Sequence, residues 1–93
     1  MSSYFVYVIK SSATGRLYKG FCSDLNRRIG EHNAGKTKST KPFAPWELVY
    51  FEKFNSKSDA IDREKYLKSA AGRRFILKIL APGSPPVRPA KDL

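Results

Sequence analysis

The sequence predicts an α+β fold, a small antiparallel sheet with helices packed on it, in the order β-β-α-β-α-α. Three features carry that expectation. Tyr4 to Lys10, Leu17 to Cys22 and Trp46 to Phe54 are rich in aromatic and β-branched residues. Cap residues open the stretches between and after them, at Ser23-Asp24 and at Ser56-Lys57-Ser58-Asp59. Hydrophobic residues make up 41% of the 93 residues and aromatics 13%, enough for one core and one domain.

The apolar run Tyr4 to Ile9 is continuous rather than alternating, which predicts a central strand covered on both faces. A turn cluster from Ser11 to Gly15 joins it to the second strand, forming a hairpin with a loop of about five residues. From Asp24 a helix runs to Asn33 or Ala34, with Gly35 as its stop. Lys36 to Pro45 reads as a mobile basic loop in which Pro42 and Pro45 oppose regular structure. The third strand follows, then a helix over about 57–69 that Gly72 is expected to break. A last short helix from Arg73 to Leu80 turns Phe75, Ile76, Ile79 and Leu80 inward. Residues 1–80 form the predicted domain, and 81–93, holding four of the six prolines, read as a disordered tail.

Eighteen Lys and Arg against eight Asp and Glu leave a net charge of +10, which points to a polyanionic partner, nucleic acid before acidic membrane. A membrane surface fits poorly, because the basic residues are spread along the chain with no strongly amphipathic basic helix. No apolar run approaches the roughly 20 residues of a membrane span, and Lys10 ends the first one too early for a signal peptide. One cysteine and one histidine exclude an internal disulfide and a structural zinc site of four side-chain ligands. The expected setting is the reducing cytoplasm.

Several polar residues fall where apolar ones are expected. Arg28 and His32 are i and i+4 on one edge of the stripe set by Leu25 and Ile29. Spacing alone favours Arg28 packing its stem on the core margin and His32 as a satisfied boundary histidine. Glu64 lies in line between Ile61 and Leu67, where a carboxylate needs a cation or donors. An ion pair to Lys68 one turn on would supply it, and a metal ion in a cleft is the alternative. Tyr7 and Tyr18 come from the hairpin, and Gly20 in mid-strand marks a bulge or a close approach to the backbone. Cys22 has no partner in view and reads as a small apolar filler.

Phe5-Val6-Tyr7 followed by Tyr18-Lys19-Gly20 resembles the paired motif of the GIY-YIG nuclease superfamily. Ser23 to Arg28 with Glu31-His32-Asn33 is similar to the helix after that motif, and Asp62 to Lys68 to the helix bearing its glutamate. The resemblance covers about residues 4–78 and is best to the small single-domain bacterial branch, related to the nuclease domain of the excision-repair incision enzyme. Phe5 stands for the first motif's Gly and Lys19 for the second's Ile, and no Asn follows Asn55 to match one in longer members.

That resemblance implies a three-stranded antiparallel sheet flanked by about three helices. It also implies an endonuclease hydrolysing phosphodiester bonds in DNA, in repair or recombination, with a site on Tyr7, Tyr18, Arg28, His32 and Glu64. Glu64 is then the ligand of one Mg²⁺ (or Mn²⁺), Arg28 the bidentate phosphate donor, and Tyr7 an orienting hydroxyl. Tyr18 is the first choice of general base and His32 the second. Lys10, Lys19, Arg27, Lys36, Lys38 and Lys41 form the expected phosphate-contacting rim. The competing reading is a non-catalytic nucleic-acid-binding or repair-accessory module on the same fold.

Overall fold

A computed structural model of the chain describes residues 3–81. The rest of the expected tail, from residue 82 on, lies outside the described residues. Three strands, β1 (Tyr4–Ser11), β2 (Leu17–Cys22) and β3 (Trp46–Phe54), form one antiparallel sheet in the order β2-β1-β3. Helix α1 (Leu25–Asn33) follows β2, and α2 (Lys57–Lys68) and α3 (Ala70–Ile79) follow β3. The β-β-α-β-α-α order is the one the sequence predicts.

The unbroken apolar run of β1 has the cause expected of it. Alternation sends Val6 and Val8 to one face, where they meet Tyr50, Ala60, Leu67 and Ile76. Tyr7 and Ile9 go to the other face and pack with Trp46, Leu25 and Ile29. Thus α1 covers one face and α2 with α3 the other, and β2 is an edge strand of the sheet.

Each helix starts at a side-chain cap. Asp24 accepts from the Arg27 amide at 3.1 Å, and Ser56 from the Asp59 amide at 3.4 Å. The expected break at Gly72 is corrected: the chain turns at Ser69, which ends α2 and caps α3 by accepting from the Gly72 amide at 3.2 Å. Gly72 lies inside α3 and is buried. A Cβ there would stand 2.0 Å from the Tyr66 carbonyl oxygen and 2.4 Å from Leu67 Cα. The glycine serves the close approach of two helices rather than a stop.

One ion pair ties the layers. Arg63 on α2 grips Glu52 on β3 bidentately, Nε to Oε1 at 2.8 Å and the terminal nitrogen to Oε2 at 2.9 Å. The Tyr50 hydroxyl donates to the same carboxylate, and the Arg63 guanidinium lies over the Tyr66 and Phe75 rings. This contact also fixes the rotation of α2, with Arg63 on the β3 flank.

Candidate active site

Tyr7 sits mid-strand on the α1 face, with Gly20 directly across in β2. Its ring leans over that glycine, so a Cβ at position 20 would stand 2.6 Å from the Tyr7 hydroxyl oxygen and 2.8 Å from Cζ. The Tyr-x-Gly spacing therefore has a steric reason: the glycine clears the path of the first tyrosine. Tyr18, two residues earlier on the same face, puts its ring 6.4 Å from Tyr7 and 5.1 Å from His32 between centroids. Gly20→Ala is expected to cost about 1–3 kcal/mol through overpacking against a buried ring. The thermal midpoint would fall by about 4–8 °C per kcal/mol, measurable by circular dichroism.

From α1 the i, i+4 pair Arg28 and His32 arrives on this face, as the spacing predicts. His32 is fully buried and both its ring nitrogens are engaged. Nδ1 is 2.8 Å from Thr40 Oγ1, and Nε2 is 2.9 Å from the Tyr7 hydroxyl. Thr40 Oγ1 donates its one proton to the Thr37 carbonyl at 3.3 Å, so it accepts from Nδ1–H. Nε2 is then the bare nitrogen, and Tyr7 donates to it. Burial pushes the Tyr7 phenol up to about 12, with the Arg28 guanidinium beside it pulling the other way. Tyr7 accordingly stays protonated at neutral pH, its proton given to His32 and its oxygen turned to Arg28.

Burial, helped by the Arg28 charge, holds the His32 pKa below its ordinary value. The unfolded chain therefore binds the proton more readily than the folded one. The contribution of neutral His32 is complete above about 6.5 and is lost as pH falls from there through the folded-state value. The urea midpoint of the wild type is expected to drop as pH is lowered below about 6.5, and the drop should be smaller in His32→Gln.

Arg28 lies at the boundary of solvent. It donates to Glu31 Oε1 at 3.0 Å, while Arg27 Nε reaches Glu31 Oε2 at 3.3 Å. These hydrogen bonds, led by Arg28, hold the Glu31 carboxyl below the usual carboxylate range. Arg28 and Glu31 line an open hollow with Cys22, Ser23, Asp24 and Arg27. The Cys22 thiol at its wall is half-buried, and burial pushes it up to about 11, consistent with an apolar filler.

The basic loop after α1 is clasped to the sheet. Trp46 Nε1 donates to the Thr40 carbonyl at 2.9 Å, and Ser11 Oγ donates to the Phe43 carbonyl at 2.6 Å. The Asn33 amide bridges both backbone groups of Trp46, accepting from N at 2.6 Å and donating to O at 3.1 Å. A short 3-10 turn, Lys41–Phe43, occupies the stretch expected to be irregular. Sequence reasoning missed Thr37, Thr40 and the roles of Glu31 and Asn33. The quoted Glu31-His32-Asn33 run held a signal for two of them, but nothing in spacing singles out Thr40.

Glu64 comes from the other covering. It lies between buried Ala60 and Leu67, its side chain only 17% exposed, and Oε2 accepts from Lys68 Nζ at 3.3 Å. Oε1 has no hydrogen-bond partner among the described residues. Arg63, one position before it, is committed to Glu52 of β3 and so is not a partner of Glu64. The structure thus brings Tyr7, Tyr18, Arg28 and His32 together on the α1 face of the sheet, while Glu64 belongs to a helix that covers the opposite face, with no hydrogen bond joining it to the four. Among the described residues no group of three or more His, Cys, Asp or Glu could hold a metal. A lone carboxylate with a free oxygen fits Mg²⁺, which keeps several waters and takes one or two carboxylates with substrate phosphates. The basic residues divide likewise. Arg27, Lys36, Lys38 and Lys41 belong to α1 and its loop, while alternation turns Lys10 and Lys19 to the α2–α3 side.

No helix among the described residues is long and apolar enough to cross a membrane. UPF0213 proteins of Staphylococcus aureus, strains Mu50 and COL among them, are 44% identical over 70 residues, covering 74% of this chain and 84% of theirs. The solution NMR structure of a UPF0213 protein from Bacillus halodurans aligns with a TM-score of 0.52 at 28% identity, covering 87% of this chain and 88% of that one. The profile of the GIY-YIG catalytic domain matches residues 3–75, a span that contains both tyrosines, Arg28, His32 and Glu64. With the three-stranded sheet and the steric logic of Tyr7 over Gly20 in place, the chain belongs to the GIY-YIG catalytic domain family.

Proposed function

We propose that this protein is a divalent-metal-dependent endonuclease hydrolysing phosphodiester bonds in DNA, acting in the cytoplasm in repair or recombination. Residues 1–80 would be the nuclease domain and 81–93 an appended tail. The observation that carries the reading is the chain Thr37–Thr40–His32–Tyr7, a buried polar relay with every member satisfied and Arg28 at its exposed end. A purely structural core has no need to hold a guanidinium at the margin by so many fixed donors and acceptors.

In this reading Arg28 donates two N–H groups to the phosphoryl oxygens, a fork better matched to developing charge than a point cation. Tyr7 and His32 position it. Their protons are spoken for, so His32 is an orienter and the role of general base falls to Tyr18, whose hydroxyl has no hydrogen-bond partner among the described residues. Glu64 would hold the Mg²⁺ or Mn²⁺. When bound, that cation would supply positive charge to offset the phosphoryl oxygens. The phosphate would lie along the free edge of β2, between the two coverings.

The second reading, a nucleic-acid-binding module without turnover, draws on the Glu64–Lys68 ion pair. Single-stranded, duplex, flap and junction DNA incubated with Mg²⁺ or Mn²⁺, against an EDTA control, separates the two. Metal-dependent cleavage of at least one substrate is expected. Salt-sensitive binding without cleavage of any would establish the module instead.

A further inference from the structure

Charge is unbalanced on the sheet face away from α1. Alternation along β2 turns Leu17, Lys19 and Phe21 the same way, and Leu17 and Phe21 pack into the cluster with Leu67 and Ile76. Lys19 therefore emerges half-buried beside α2 and α3. Lys68 closes α2, and Arg73 is an exposed residue in the first turns of α3, next to buried Gly72. Desolvation, then repulsion from Arg73 and Lys68, holds the Lys19 ammonium below its ordinary pKa. Neither Lys19 nor Arg73 has an ion-pair partner among the described residues, and Lys68 shares Glu64 alone. Lys19 and Arg73 thus share only the one counter-charge that Lys68 already engages, and a bound polyanion relieves the remaining repulsion.

We propose that Lys19, Lys68 and Arg73 form a second backbone-phosphate site, which holds the DNA on the sheet face opposite α1 as the strand passes round the free edge of β2. The proposal rests on the nuclease reading, which makes DNA the polyanion. Strand β2 has no neighbour on its outer side, so a nucleic acid can touch both faces there. A strand that turns round one β-strand bends far more sharply than duplex DNA, whose persistence length is about 150 bp. The two-faced contact therefore selects single-stranded or branched DNA over continuous duplex.

The test is binding in EDTA, where nothing is cut, of a fluorescein-labelled single-stranded oligonucleotide from about 50 to about 200 mM NaCl. The variant Lys19→Gln/Arg73→Gln is compared with Lys53→Gln/Lys65→Gln, which removes the same charge from β3 and from the outer side of α2. Loss of two phosphate contacts lowers the log–log salt slope by about 1.4, at about 0.7 per contact, and weakens binding about tenfold or more at low salt. The control pair should leave the slope within about 0.3 of wild type. Equal losses in the two variants would mean a bulk charge effect and overturn the second site while leaving the nuclease reading intact. Failure of the wild type to bind any DNA would overturn both. Equal affinity of the wild type for single strand and continuous duplex would overturn the substrate selection.

Discussion

Glu64→Gln is expected to lower metal-dependent cleavage by about 10³-fold or more, a loss of about 4 kcal/mol of transition-state stabilisation. The substitution keeps the size and shape of the side chain and removes the negative charge proposed to hold the divalent cation. A neutral amide oxygen binds Mg²⁺ far more weakly than a carboxylate. Stability should hardly change. The Glu64–Lys68 pair is an i, i+4 contact with Lys68 half-exposed, and such pairs contribute about 0–1 kcal/mol. DNA binding in EDTA should hold or tighten, because a negative charge is lost and Lys68 is released. Cleavage surviving at the wild-type rate in Glu64→Gln would place the metal on another residue.

Arg28→Ala is expected to cost about 10²- to 10³-fold in kcat, the usual loss when one preorganised donor to a developing oxyanion is removed. KM should change much less than kcat, since the guanidinium is held for the transition state by Tyr7 and Glu31. Arg28→Lys restores the charge without the fork, so its kcat should lie between the two. A variant that raised KM with kcat untouched would make Arg28 an ordinary phosphate anchor and shift the chemistry elsewhere.

Much of the architecture was legible because β1 advertises itself: an unbroken apolar run implies cover on both faces, and that cover dictates helices on two sides. Caps at Asp24 and Ser56 located the helix starts to within a residue or two. The Gly72 expectation failed for a physical reason. A glycine is required equally by a helix stop and by a close helix crossing, and only the partner atoms, here Tyr66 O and Leu67 Cα, tell the two apart. In the site, Arg28 and His32 were visible from i, i+4 spacing, and Tyr7 with Gly20 from the motif. Thr40 was not visible, since its bond to His32 depends on how a proline-bearing loop folds back onto the sheet. The Lys68 partner of Glu64 could be read from spacing, whereas the Arg63–Glu52 pair could not, being a contact between elements.

The central claim is that a cation at Glu64 and the Tyr18–Arg28 side of the site work on one phosphate across the edge of β2. Paramagnetic broadening by Mn²⁺ in the isotope-labelled protein, alone and with a phosphorothioate oligonucleotide bound, tests this most directly. The expected result is selective loss of signal at the Lys19 and Gly20 amides and the Arg28 guanidinium in the wild type, absent in Glu64→Gln. Broadening centred elsewhere, or unchanged by Glu64→Gln, would contradict it.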